Sequence, residues 1–126
     1  MSPWRILDYV EADGANVICF WIDSLPIQAQ VRIDTRIRYL EATAIWPAQY
    51  ISALKTCHGI YELKIVSSGV QYRPLGYFGP SRQEFTLLMG SIEKGGELEP
   101  RDFRKIAERR REVTDANRKR VVPHQY

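Results

Sequence analysis

The chain is poor in the residues that build metal and redox centres. It has two cysteines, Cys19 and Cys57, and two histidines, His58 and His124, in 126 residues. The cysteines are single and widely separated, with none of the paired spacing of a zinc site. In a reducing compartment two such thiols behave as small buried hydrophobes rather than as a disulfide. Neither a metal nor a cofactor is expected. Also missing are a Gly-rich phosphate loop, a G-x-S-x-G elbow and an H-E-x-x-H helix, which argues against the chemistries those motifs support. The longest apolar run, Val17 to Ile22, is far too short to span a bilayer. The opening Met1-Ser2-Pro3-Trp4-Arg5 leads into no apolar segment of the kind a secretory signal requires. The expectation is a cytoplasmic protein without a membrane partner. No internal repeat and no low-complexity linker interrupts the chain.

What is present is the composition of one globular domain: 44% hydrophobic and 26% charged residues. The net charge of +3 is unevenly placed. Between Arg101 and Arg120 nine Lys/Arg face four Asp/Glu, a balance of +5, while the rest of the chain carries nine against eleven, a balance of −2. A basic segment of this kind meets nucleic acid, an acidic partner or an anionic surface, or is simply a solvated helix face.

Along the chain, Trp4 to Val10 reads as a strand closed by the turn-prone Glu11-Ala12-Asp13-Gly14. Asn16 to Leu25 fits either a strand or a helix capped by Asn16 and carrying Val17, Phe20, Trp21 and Ser24 on one face. Pro26 suits the first turn of a helix, on which Ile33, Ile37, Leu40 and Ala44 follow at helical spacing until Trp46-Pro47. From Gly59 the period becomes alternating. Ile60 to Val66, Val70 to Phe78 and Glu84 to Gly90 are three strands joined by short turns, which favours an antiparallel meander. After Gly95-Gly96, a helix over Asp102 to Asn117 turns Phe103, Ile106, Ala107 and Arg110 inward.

If Ser68-Gly69 is a two-residue hairpin loop, Ser67 faces Val70, Val66 faces Gln71, Ile65 faces Tyr72, and Lys64 faces Arg73. Like charges directly opposite each other destabilise a sheet, so the pair invites an anion between them. Phosphate fits, since arginine presents a planar fork and lysine a point charge. Alternatively Glu62, on the same face, neutralises Lys64 and the pair is solvated. Tyr77 shares that face, four residues beyond Arg73, and Arg82 and Lys94 can approach from the neighbouring strand and its loops.

Three segments carry a resemblance: Gly59-Ile60-Tyr61-Glu62-Leu63-Lys64, then Tyr72-Arg73-Pro74-Leu75-Gly76-Tyr77-Phe78, then Leu87-Leu88-Met89-Gly90 through Lys94. In order and spacing they resemble the RelE superfamily of toxins, in its HigB-like, phage-associated branch. Typical members have a G-L-Y-E-L-R strand, a Y-R-V-L-Y-F strand and an L-L-H-G-F-x-K-K segment. A proline and a helix with A-x-x-R follow, matched by Pro100 and by Ala107 to Arg110. Trp4 to Tyr9 and Asp23-Ser24-Leu25-Pro26 are similar to the family's opening strand and helix junction, so the resemblance spans nearly the whole chain.

The resemblance implies an α+β, RelE-like fold: a strand, two helices (so Asn16 to Leu25 is helical), an antiparallel three-strand meander and a C-terminal helix. These fill residues 1–120, with 121–126 as a flexible tail. It implies the toxin of a type II toxin–antitoxin system, cleaving mRNA on the ribosome and restrained by an antitoxin of helix-turn-helix type. The chemistry is metal-free, using the 2′-hydroxyl as nucleophile and giving a 2′,3′-cyclic phosphate. Arg73 then serves the scissile phosphate, Lys64 assists it, and Tyr77 stacks on a base or moves a proton. Lys94, Arg82, Arg101, Arg104 and Lys105 bind the RNA backbone.

Departures from the family pattern are Met89 for its histidine, Ser91 for its phenylalanine, Glu93 for its first lysine, and Pro74 within a strand. They favour a second reading, a catalytically degenerate relative that still binds RNA or the ribosome. A third is a phage-derived interaction module that grips an acidic partner through Arg101 to Arg120. The closing His124-Gln125-Tyr126 superficially resembles relatives ending in catalytic His-Tyr, but a frayed terminus is the simpler expectation.

Overall fold

The computed structural model describes residues 2–93, 100–116 and 118–126, without the side chains of residues 100 and 101. The chain begins with strand β1, Arg5–Tyr9. The ambiguous stretch that follows is a helix, α1, Val17–Asp23. Asn16 caps it as its spacing suggests, its side-chain oxygen accepting from the backbone N–H groups of Ile18 and Cys19 at 3.0 and 2.9 Å. Ile18 and Ile22, one turn apart, are the residues this helix buries.

Helix α2, Ile27–Glu41, starts directly after Pro26 and buries Ala29, Ile33, Ile37 and Leu40. It stops before Ala44, which is exposed, rather than running on to Trp46-Pro47. The carbonyls left open by the last turn are met by side chains instead of further helix. The Trp46 indole donates to the Leu40 carbonyl at 2.8 Å, and the Thr43 hydroxyl to Tyr39 at 2.6 Å.

Strands β2 (Ile51–Ala53), β3 (Tyr61–Leu63), β4 (Ile65–Ser67), β5 (Val70–Tyr72), β6 (Leu75–Phe78) and β7 (Glu84–Met89) follow. Helix α3, Pro100–Asp115, and strand β8, Val121–Pro123, complete the chain. The main sheet is six-stranded and mixed, in the order β2-β3-β6-β7-β1-β8, with β1 parallel to β7 and the other pairs antiparallel. β4 and β5 form a separate two-stranded ribbon.

The α+β class agrees with the sequence reading, and β3, β6 and β7 pair as the antiparallel meander, but within a six-stranded mixed sheet and with its strands interrupted. Two of its strands are each cut in two, at Lys64 and at Arg73-Pro74. Pro74 has no N–H to give to a ladder. The neighbouring backbone donors turn to other segments, Lys64 N–H to the Tyr50 carbonyl at 2.9 Å and Arg73 N–H to that of Ser91 at 2.7 Å. The chain thus leaves the sheet and returns to it at two adjacent corners.

Helices cover both sheet faces. Ile6, Leu63, Phe85 and Leu87 pack beneath α1 and α2, and Tyr9, Leu75, Tyr77 and Leu88 beneath α3. On α3 the buried residues are Ile106, Arg109 and Val113, whereas Ala107 is exposed and Phe103 and Arg110 are half-buried. The inward face is therefore centred differently from the apolar pattern, because buried Arg109 donates to the Leu88 carbonyl at 2.7 Å.

The expected flexible tail is instead an edge strand and an anchor. β8 pairs with β1, and the His124 N–H donates to the Ile6 carbonyl at 3.0 Å. The His124 ring is buried between Asp8 of β1 and Asp34 of α2, at 2.8 and 3.0 Å. The Tyr126 hydroxyl bonds Glu41, and the Arg38 guanidinium lies 3.9 Å from the centre of its ring. Three apolar-to-neutral residues ending in proline gave β8 little strand signal; its edge position is what allows the proline.

Candidate functional site

The Ser68-Gly69 turn forms as expected. Both residues have positive φ, 51° and 77°, and the ribbon register pairs Ser67 with Val70, Val66 with Gln71 and Ile65 with Tyr72. The ladder stops there, one pair short of Lys64 and Arg73. It resumes at Glu62–Leu75 in the same register, so Lys64 and Arg73 still stand opposite each other across the break, without ladder hydrogen bonds of their own.

Arg73 is the centre of a mixed cluster. Its side chain is only 11% exposed. One terminal nitrogen, Nη2, donates to Gln71 Oε1 at 2.6 Å and to Glu93 Oε2 at 3.0 Å. Nε lies 3.9 Å from Glu62 Oε2, too far for a hydrogen bond, and is buried without a partner among the described residues. Glu62 is oriented by the Ser52 hydroxyl at 3.1 Å, and the Ser91 hydroxyl donates to the Arg73 carbonyl at 2.6 Å. So Glu62 meets Arg73 rather than Lys64. Lys64 is half-buried, and among the described residues its ammonium makes no hydrogen bond or ion pair.

The other sequence-derived candidates are dispersed. Tyr77 lies on the α3 side of the sheet, two positions beyond Leu75, but is 5% exposed. Arg110 covers its ring at 5.1 Å, its buried hydroxyl makes no geometrically sound hydrogen bond among the described residues, and burial pushes its pKa up. Arg82 is exposed at the start of β7, whereas Ser91, which holds Arg73, follows its end. Six residues of strand separate them by about 20 Å. Arg82 instead borders a cavity of about 490 Å³ with Arg5, Arg118 and buried Glu84. Two hydrogen bonds from Arg118, at 2.8 and 2.7 Å, hold the Glu84 carboxyl below its ordinary range. Arg104 and Lys105 are exposed on α3, while Lys94 and the side chain of Arg101 lie outside the described residues.

Much of the C-terminal basic charge is engaged within the fold. Arg109 bonds Leu88 and pairs with Glu11 at 3.6 Å, and Arg110 bonds the His58 carbonyl at 3.0 Å. Arg118 holds Glu84, and Arg120 holds Glu112 at 2.5 Å. That leaves Arg104, Lys105, Arg111 and Lys119 exposed in this segment.

Sequence reasoning missed the carboxylates around Arg73 and the Asp8–His124–Asp34 cluster. For the first, Glu93 was visible as a reversed charge, but only the corner brings it to Arg73. For the second, the signal was a carboxylate, Asp8, among the apolar residues of β1, where it is fully buried. Burial alone would lower the His124 pKa, but hydrogen bonds and charge from Asp8 and then Asp34 raise it overall. Cys19, half-buried with its sulfur 4.0 Å from Asp8, has its thiol pushed up to about 11 by desolvation and then by the Asp8 charge. Among the described residues no group of three or more His, Cys, Asp or Glu is placed to hold a metal ion, and no helix is long and apolar enough to cross a membrane.

No protein-family model matches this chain, and no curated protein matches it in sequence. The reading therefore rests on the chemistry of the corner. Among the described residues a largely buried guanidinium has one free donor, an exposed carboxylate on one side and a carboxylate oriented by Ser52 on the other. That set can exchange an anionic partner and accept a proton beside it.

Proposed function

We propose that the chain is a RelE/HigB-like toxin that cleaves mRNA on the ribosome, with Arg73 as the cation that receives the scissile phosphate. The observation that carries this reading is the buried, unpartnered Nε of Arg73, a donor that a phosphate oxygen would satisfy. The ordered resemblance of the strand and helix segments supports it. Glu93, the more exposed carboxylate at 38% against 26% for Glu62, yields its place to the phosphate. Glu62 stays on Ser52 and takes the 2′-hydroxyl proton as that oxygen attacks phosphorus. Lys64 donates a proton to the departing 5′-oxygen, which leaves as a 5′-hydroxyl as its bond to phosphorus breaks, and the other product carries a 2′,3′-cyclic phosphate. An antitoxin of helix-turn-helix type restrains the activity, and exposed Arg104 and Lys105 contact backbone phosphate.

A second reading, a relative that binds RNA or the ribosome without cutting, is favoured by the Glu93–Arg73 ion pair and by the sealed Tyr77. Expression without an antitoxin tests the two. The toxin reading expects growth arrest that Arg73→Ala relieves; arrest as strong with Arg73→Ala removes Arg73 from the site. Intact mRNA in a purified translating system, together with measurable ribosome binding, decides for the second reading.

A further inference from the structure

On the opposite side of the corner from Arg73, α2 and the outer edge of β4 enclose a groove of about 360 Å³. Its α2 wall carries Arg32, Thr35, Arg36 and Tyr39, and Tyr50 closes one end. No carboxylate lines it. The Arg36 guanidinium is half-buried, stacked 3.6 Å from the centre of the Tyr50 ring, and among the described residues has no anionic partner. Burial pulls its pKa below the ordinary arginine value. A cation that is partly desolvated and uncompensated favours an incoming anion.

The floor of the groove is a strand edge with hydrogen-bonding capacity left over. A two-residue loop with both φ positive makes Ser67 and Val70 a hydrogen-bonded pair, so Val66 and Gln71 are a non-bonded pair. The N–H and C=O of Val66 therefore point away from β5, as do those of Lys64 two residues earlier. Lys64 already has outer partners, its N–H on the Tyr50 carbonyl at 2.9 Å and its carbonyl on Arg36 Nη1 at 2.5 Å. Val66 is 45% exposed, and among the described residues its backbone has no such partners. Its side of the edge continues the line along which Tyr50 runs.

We propose that this groove docks an extended, acidic peptide segment of another protein. The segment adds to the outer edge of β4 through Val66 and places carboxylates on Arg32 and Arg36. Peptide suits the edge because it brings an acceptor for the Val66 N–H and a donor for its carbonyl, whereas phosphate groups bring acceptors only. Charge complementarity selects Asp and Glu at the positions facing α2. The site uses neither Arg73 nor the RNA chemistry proposed for it.

The test titrates the full chain with an eight-residue peptide of alternating Glu and Val, a matched Lys-Val peptide and a single-stranded oligouridylate. Binding of the Glu-Val peptide alone is expected, with slowed hydrogen exchange at the Val66 amide. Arg32→Gln should weaken it about tenfold, the loss of one charge-assisted hydrogen bond. Val66→Pro, which removes the outward-facing donor and no hydrogen bond to β5, should abolish it. If Val66→Pro fails to fold, amide exchange in the parent chain decides. Absence of Glu-Val binding, an unprotected Val66 amide, or oligouridylate binding with the same arginine dependence overturns the proposal. Each readout is independent of mRNA cleavage, so a failure here leaves the reading of Arg73 untouched.

Discussion

Arg73 and His124 are both held between two carboxylates, with different consequences. At Arg73 the flanking groups are partly exposed and one nitrogen remains free, so the ion pair is exchangeable. Glu93→Gln removes the charge that competes for Arg73 and should raise RNA or ribosome affinity severalfold, about 1 kcal/mol. A filter-binding titration at fixed salt checks this; an unchanged or weaker affinity would show that Glu93 does not mask Arg73. At His124 the ring is sealed and both its nitrogens are engaged. Its folded pKa lies above the unfolded value of about 6.5, so its stabilising contribution is complete below that pH. As pH rises from about 6.5 through the folded pKa, the proton is lost and the contribution fades. Urea midpoints should accordingly decline across that window in the parent chain. His124→Gln should flatten the decline and cost roughly 3 kcal/mol below it, as expected for a broken buried pair.

Among the elements, those with a strong local signal were legible in the sequence. Asn16 offered a cap for α1 in a stretch that also fitted a strand, the 33-37-40 spacing marked most of the buried face of α2, and Ser68-Gly69 set the ribbon register. What escaped reading depends on partners distant in the chain. β2 and β8 are three residues each and exist because β3 and β1 present edges to them. The breaks at Lys64 and Arg73 follow from backbone donors taken by Tyr50 and Ser91, which no periodicity records. The inward face of α3 was misplaced because an arginine fills a position that binary patterning assigns to apolar residues. The same displacement yields a contrast. Ile106→Ala should destabilise by about 3 kcal/mol, whereas Ala107→Lys should stay within about 0.5 kcal/mol. Comparable effects in denaturant titrations would restore the other helix phase.

Over the whole molecule, the modest net charge conceals a division of labour. Arg109 and Arg118 of the basic C-terminal segment hold to β7, Arg110 to the turn before β3 and Arg120 to α3, and the cation proposed for chemistry stands in the net-acidic remainder. Nucleic-acid binding should therefore be less salt-sensitive than +5 suggests. Replacing Arg104 and Lys105 together with alanine should reduce the slope of log affinity against log salt by about 2. Whether Arg73 receives the scissile phosphate is read from the mRNA ends left after reconstituted translation with the purified chain. The predicted result is new 2′,3′-cyclic phosphate ends with the parent protein and none with Arg73→Ala. Intact mRNA with the parent, or the same ends with Arg73→Ala, would contradict it.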